Sequence, residues 1–283
     1  MSLTGQTSGA DLPDPLLDVQ GLADARGIDL NWVGIQNVEI PVTVLEKNGG
    51  TQVVSAVAGL SVGLGKEHKG THMSRFIEQL SEWSKAHVLT LDLKEFLEDT
   101  KRRLKAPSAR LVLDFRYFIE KAAPATGQKA PMAYGCRFEG HINQKNQYTL
   151  ALNVTVPCTT LCPCSKEISD FGAHNQRTEI RANVLIDETH SQEHRVVWIE
   201  DLIAGLEQCS SCPVYPLLKR PDEKYVTEWA YTHPKFVEDV IRESTLFLRN
   251  FEGVSGFSLE VEAFESIHAH NAFARHQENF PPS

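Results

Sequence analysis

Apolar residues recur along this chain in two distinct rhythms, and the switches between them outline its elements. VEIPVTVL (38–45) alternates as a strand does. In VVSAVAGLSVGL (53–64), Val54, Ala56, Ala58, Leu60, Val62 and Leu64 share one face. The period then lengthens. Met73, Phe76, Ile77, Leu80 and Trp83 fit one side of a helix, and Asp92 and Glu95 mark the capped start of a second, with Leu93, Phe96, Leu97 and Leu104 inward. Alternation returns in RLVLDFRYFI, where Leu111, Leu113, Phe115 and Tyr117 align, and AYGCRFEGHI (133–142) is its expected partner.

The order then repeats. YTLALNVTV (148–156) and EIRANVLI (179–186) predict strands. Trp198, Ile199, Leu202, Ile203 and Leu206 predict a helix. Phe236, Val237, Val240, Ile241, Phe247 and Leu248 predict another, and GFSLEVEAFE (256–265) predicts a closing strand. The chain therefore reads as α+β, ββααββ followed by ββααβ: a flexible lead-in over 1–30, a first unit over 31–145 and a second over 146–283. The repeat lies in element order, not in residue identity.

Composition narrows the function classes. Of 283 residues, 41% are hydrophobic and 23% charged, ordinary for a globular chain. No apolar run approaches the roughly 18 to 20 residues of a membrane span, and the polar, acidic start lacks a secretory pattern. The expectation is a cytoplasmic protein with no membrane partner. A net charge of -9 argues against a general basic field for nucleic acid, so an anionic substrate would need a local basic pocket. Six cysteines are too few for a disulfide scaffold of this size, which turns attention to metal binding or catalysis.

The cysteines concentrate where the pattern breaks. CTTLCPCSKEISDFGAHNQR (158–177) falls in a connection of about 20 residues between two paired strands, far beyond the usual hairpin length. Cys158, Cys162 and Cys164 form C-x3-C-x-C, while Cys209 and Cys212 form C-x2-C. A structural cage from Cys162, Cys164, Cys209 and Cys212 is one reading, a redox pair a second, and a single cysteine serving as ligand or nucleophile a third. His174 lies in the same polar stretch; a thiolate with an imidazole suits Zn2+ and tolerates Fe2+. LLKRPDEKYVTEWAY offers Glu223 and Glu228, although its composition reads as a solvated charged loop. Glu265, in ESIHAH, continues the parity of Phe257, Leu259, Val261 and Ala263 toward the apolar face, followed by His268 and His270. A carboxylate there must be paired or functional; the alternative is that the strand ends at Ala263 and leaves these residues exposed. Glu238 borders the apolar side of its helix. HMSRF (72–76), with Arg75, could meet an anion at a helix start. No phosphate-binding glycine fingerprint and no G-x-S-x-G elbow occurs.

Four separated motifs, HMSRF, VPCTTLCPCSKEISDFGAHNQR, LLKRPDEKYVTE and ESIHAHNAFA, occur in one order, and together they closely resemble the type IB GTP cyclohydrolases over about residues 35–275. The resemblance implies the tunnelling fold, with two ββααββ units whose antiparallel sheets carry helices on one face, and a homotetramer with sites at subunit boundaries. It implies conversion of GTP to 7,8-dihydroneopterin triphosphate and formate, toward folate and queuosine, with one divalent metal (Zn2+, Mn2+ or Fe2+) per site. Carried over by motif, Cys162, His174 and Glu223 are the metal ligands. Cys162, Glu265 and His268 form the catalytic set, and Glu238 anchors the substrate ring. Arg75, Lys166 and Arg177 are the candidates for the triphosphate. A tunnelling-fold nitrile reductase with a cysteine nucleophile and a zinc-stabilised binding module are the competing readings.

Overall fold

A computed structural model describes residues 20, 22, 24–86, 89–187 and 196–281; most of the expected lead-in lies outside them. Alternation is expressed as one continuous antiparallel sheet. Its strands are β1 (Leu30–Leu45), β2 (Thr51–Leu64), β3 (Ala109–Ala122), β4 (Lys129–Ile142), β5 (Tyr148–Leu161), β6 (Asn175–Ile186), β8 (Val254–Ala263) and β9 (Ala272–Glu278), hydrogen-bonded in that order. The two-residue β7 (Cys212–Pro213) pairs with β5 beyond the reach of β4. The helices are α1 (Met73–Ala86), α2 (Leu89–Leu104), α3 (Pro163–Ile168), α4 (Ile199–Gln208), α5 (Arg220–Thr232) and α6 (Val237–Arg249). None of the described helices is long and apolar enough to cross a membrane.

The period-2 pattern decides which face the helices cover. Val54, Ala56, Ala58, Leu60 and Val62 of β2 are buried, as are Leu111, Leu113, Phe115 and Tyr117 of β3 and Leu152, Val154, Val156 and Cys158 of β5. They meet Phe76, Leu80 and Trp83 of α1, Leu93 and Leu97 of α2, and Leu202, Leu206, Val240 and Leu248 of α4 and α6 in one core. Each Val, Leu or Phe among them contributes about 1.5–3 kcal/mol by leaving water, and each alanine less. Met73 and Ile77, expected on the inward stripe of α1, are exposed.

Four expectations are revised. The strand placed at 38–45 begins at Leu30. The long loop between β5 and β6 shrinks to 162–174, because the ladder continues from Leu150↔Ile186 to Leu161↔Asn175 and takes Cys158 into the sheet. The segment read as a solvated charged loop is helix α5; of its residues only Asp222 and Ala230 are fully buried, so it has no apolar stripe to betray it. Finally, β9 follows the strand expected to be last, and completes a second ββ…ββ pattern. Its inward positions are Ala272 and Ala274, too weak a hydrophobic signal to be seen by period alone. The turn 143–147, where the two units were divided, is spanned by an unbroken sheet.

The N- and C-terminal halves are clamped by buried polar groups. Lys121 of β3 donates to Glu207 of α4 at 2.6 Å and to the Val214 carbonyl at 2.7 Å, and Tyr134 of β4 donates to the same Glu207 oxygen at 2.8 Å. Burial pulls the Lys121 pKa down, while Glu207 pushes it up. Asp222, at the start of α5, is fully buried. It accepts the Lys219 amide at 2.9 Å, capping its own helix, and the Ala125 amide, Thr126 amide and Thr126 hydroxyl, each at 2.8 Å, from the β3–β4 turn. Burial alone would raise its pKa; the bonds from Lys219, Thr126 and Ala125 outweigh it and hold the carboxyl at about 2.

Two outcomes follow from these clamps. Lys121→Met strands a buried carboxylate and lowers stability by about 3–5 kcal/mol, whereas Lys121→Met with Glu207→Gln recovers most of it, as read by thermal melts at neutral pH. The stabilisation from Asp222 is whole above the ordinary aspartate range and is lost as the pH falls from there through about 2. Asp222→Asn therefore melts earlier than the parent at neutral pH, and the gap closes in acid.

Candidate active site

The register of β5 against β6 assembles the first pair. Leu161↔Asn175 is the last ladder position, so Cys162 and His174 are the next residues across, and the Cys162 amide donates to the His174 carbonyl at 3.1 Å. Both continue the parity of the buried face that carries Val156, Cys158 and Thr160. The chain then turns sharply. Pro163 opens α3, and Cys162 caps it, its Sγ accepting the Ser165 amide at 3.4 Å. The Ser165 hydroxyl accepts the His174 amide at 3.2 Å, which closes the connection on itself.

β8 brings the third group. It ends at Ala263, opposite Thr178, and one further bond from the Phe264 amide to the Arg177 carbonyl at 2.9 Å extends the pairing. Glu265 then falls beside Gln176 and turns inward, 14% exposed, with Oε2 at 3.8 Å from His174 Nδ1. That oxygen is fully buried and has no hydrogen-bond partner. Both sequence expectations for this region hold in part: the strand stops at Ala263, yet Glu265 keeps its parity. His268 and His270 are exposed, their rings stacked 5.1 Å apart.

Beneath His174 lies a polar row that sequence reasoning missed. Gln176 Oε1 is 3.0 Å from His174 Nδ1, Gln176 Nε2 donates to Thr160 Oγ1 at 2.9 Å, and Thr160 and Thr178 share a hydroxyl bond of 2.8 Å. The one available clue was parity: Gln176 stands two residues from His174 on the same strand. Near the end of β5, Leu161, Cys212 and Ala230 form a small separate core with Ala173, Tyr215 and Val226. It seats α5 against the end of β5.

The remaining candidates are dispersed. Glu223 is exposed in the first turn of α5, and Glu238 is exposed in the first turn of α6. Their shared connection is tied to the site, since the Lys235 amide donates to the Leu161 carbonyl at 3.0 Å. Lys166 is engaged already, donating to the Tyr231 carbonyl at 2.7 Å and lying over the Tyr231 ring. Arg177 alternates with Gln176, so it points to the sheet face opposite His174. Arg75 is at the other end of the strands. It lines a cavity of about 1010 Å³ with His68, His72, Lys105 and His141, beside the end of β2 and the start of β3.

The four-cysteine cage is not assembled. Among the described residues no group of three or more His, Cys, Asp or Glu side chains is gathered as a metal cluster. Cys158 and Cys212 are buried, with burial raising their thiols to about 12 and about 11, and burial likewise raises Cys209. Cys164 is exposed on α3. Cys162 and His174 nevertheless fit a divalent cation. They offer a soft and a borderline donor side by side, and the partnerless Glu265 oxygen calls for positive charge or a proton nearby.

The family model described as Type I GTP cyclohydrolase folE2 matches residues 16–274. The GTP cyclohydrolase FolE2 of Syntrophobacter fumaroxidans is 45% identical over 262 residues, 92% of this chain and 98% of the relative. That of Geobacter sulfurreducens is 45% identical over 257 residues, 91% and 96% of the two chains. Among solved structures, a uricase from Bacillus fastidious superposes with a TM-score of 0.53 at 8% identity, covering 88% of this chain and 93% of the other. A hyper-thermostable uricase mutant reaches 0.52 at 6%, covering 90% and 93%. At such identities the uricases speak to the fold alone, which is the tunnelling fold. With its strand-end pair of Cys162 and His174 and a match running nearly end to end, the chain belongs to the type I GTP cyclohydrolase FolE2 family.

Proposed function

We infer that this chain is a GTP cyclohydrolase, of the IB subtype, which opens the guanine imidazole ring of GTP with water to give 7,8-dihydroneopterin triphosphate and formate. The observation that carries the reading is the convergence of Cys162, His174 and Glu265 at the ends of β5, β6 and β8. The product is an early precursor of tetrahydrofolate and, in our reading, of queuosine; the enzyme works in the cytoplasm. Close similarity to FolE2 chains favours this over a nitrile reductase.

Cys162 and His174 would hold one Zn2+, Mn2+ or Fe2+, with Glu223 as the third ligand. When bound, the cation supplies Lewis acidity that makes water a nucleophile near neutral pH. The chain's own groups handle the protons. Glu265, shielded from solvent, accepts one beside the attacked carbon, and His268, exposed at the surface, passes protons to and from solvent. Glu238 accepts two hydrogen bonds, from guanine N1–H and the 2-amino group, a pattern adenine cannot match. Arg75, Lys166 and Arg177 are the candidates for the triphosphate; Lys166 would have to leave the Tyr231 carbonyl, and Arg177, on the face away from His174, could reach it only in a neighbouring copy's site. Because Arg75 sits at the opposite end of the strands from Cys162, it serves the site of a neighbouring copy, which accords with a homotetramer.

Metal-loaded protein incubated with GTP and then oxidised gives pterin fluorescence and releases formate. Folded protein that yields neither with Zn2+, Mn2+ and Fe2+ in turn would sink the assignment. Cys162→Ala loses both bound metal and turnover, by more than the roughly 10–100-fold typical of outer partners, whereas Cys209→Ser keeps its metal content, as measured by elemental analysis.

A further inference from the structure

The polar row under His174 has no place in the chemistry above. Gln176 is buried, 8% exposed, and spends both ends of its amide on named partners. Two orientations of that amide satisfy Thr160, whose hydroxyl both donates and accepts. In one, Oε1 faces His174 and accepts a proton carried on Nδ1. In the other, Nε2 faces His174 and donates to a bare Nδ1.

Glu265 separates the two. Its Oε2 lies 3.8 Å from the same Nδ1, in a site where the two side chains are only 13% and 14% exposed, and it has no hydrogen-bond partner. A carboxylate oxygen accepts and cannot donate. With Nδ1 bare, two lone pairs would face each other away from water, and the buried oxygen would stay wholly unsatisfied. With Nδ1 protonated, both Gln176 Oε1 and Glu265 Oε2 see a positive hydrogen. The proton therefore belongs on Nδ1, and the lone pair on Nε2.

We infer that Gln176, held by Thr160 and Thr178, is a positioning residue that sets the His174 tautomer and aims Nε2 as the acceptor. The use of that acceptor for a divalent cation rests on the function proposed above; the tautomer itself does not. A ring nitrogen kept as acceptor by a hydrogen bond on its other nitrogen is the arrangement metal-binding histidines adopt, and such partners govern ligand orientation. Thr160, itself bonded to the buried Thr178, holds the far end of the amide in place, and the pair of Nδ1–H and Glu265 selects which end faces His174.

Long-range nitrogen–proton NMR on metal-free, histidine-labelled protein, above the ordinary histidine range, reads the tautomer directly. The expected result is His174 as the Nδ1–H form. Gln176→Met moves the population away from that form and weakens zinc binding by about 10–100-fold, read by competition with a chromophoric chelator. Gln176→Glu, which keeps an acceptor, restores both. Thr160→Val frees the amide and falls between Gln176→Met and the parent, which provides a second variant should the methionine disturb folding. Parent protein in the Nε2–H form overturns the inference. So does a folded Gln176→Met protein with unchanged tautomer and unchanged zinc affinity. Neither measurement needs turnover, so a chain that never opens GTP could still pass or fail this test.

Discussion

The antiparallel register of β5 against β6 is the constraint on which the site depends. Side chains alternate faces with period two, so a slip of one residue would send Cys162 and His174 to opposite sides of the sheet and part Gln176 from Thr160. The register is over-determined. Leu152, Val154, Val156 and Cys158 on one strand and Ile180, Ala182 and Val184 on the other are all buried against the helices, and any slip would expose the whole set. Hydrophobic burial along the ladder thus sets the position of chemical groups at its end, at no further cost to the site itself.

What was legible in the sequence follows from how far each feature reports locally. The alternation of β2, β3 and β5 is written in successive residues, and the helical stripe of α6 likewise. Cys162 and His174 stood out because thiols and imidazole gathered in one irregular stretch. α5 was obscured because it packs through Ala230 and a capping aspartate instead of a stripe, although Pro221, Asp222 and Glu223 form a helix-start pattern. β9 was obscured because its inner residues are alanines. The Lys121–Glu207 pair and the reach of Asp222 to Thr126 join residues separated by 86 and 96 positions, and no local pattern carries such information.

The candidate residues fall into two classes in space. Cys162, His174, Glu265 and the Gln176 row are gathered by the sheet of one chain. Glu223, Glu238 and His268 stand exposed on elements bordering that sheet end, while Arg75 lies at the far end of the strands beside a cavity of mixed charge. The first class is gathered by the folding of a single chain, whereas Arg75 is held apart from it by the length of the strands. That cavity sets Arg75 and Lys105 among three histidines, with Asp29 and Glu67 on the same wall, so its charge is mixed.

The clamps between the halves bear on how the chain can be divided. The turn at 143–147 is a natural place to cut, since it is exposed and short. A C-terminal fragment made there would keep Cys162, His174 and Glu265, yet α5 would lose the Ala125 and Thr126 donors that fill Asp222, and Glu207 would lose both Lys121 and Tyr134. Two buried carboxylates would be left partly unsatisfied within one fragment. The halves look like modules in their element order but are not interchangeable parts: complementation between fragments has to rebuild these contacts before the catalytic end of the sheet has its helical wall.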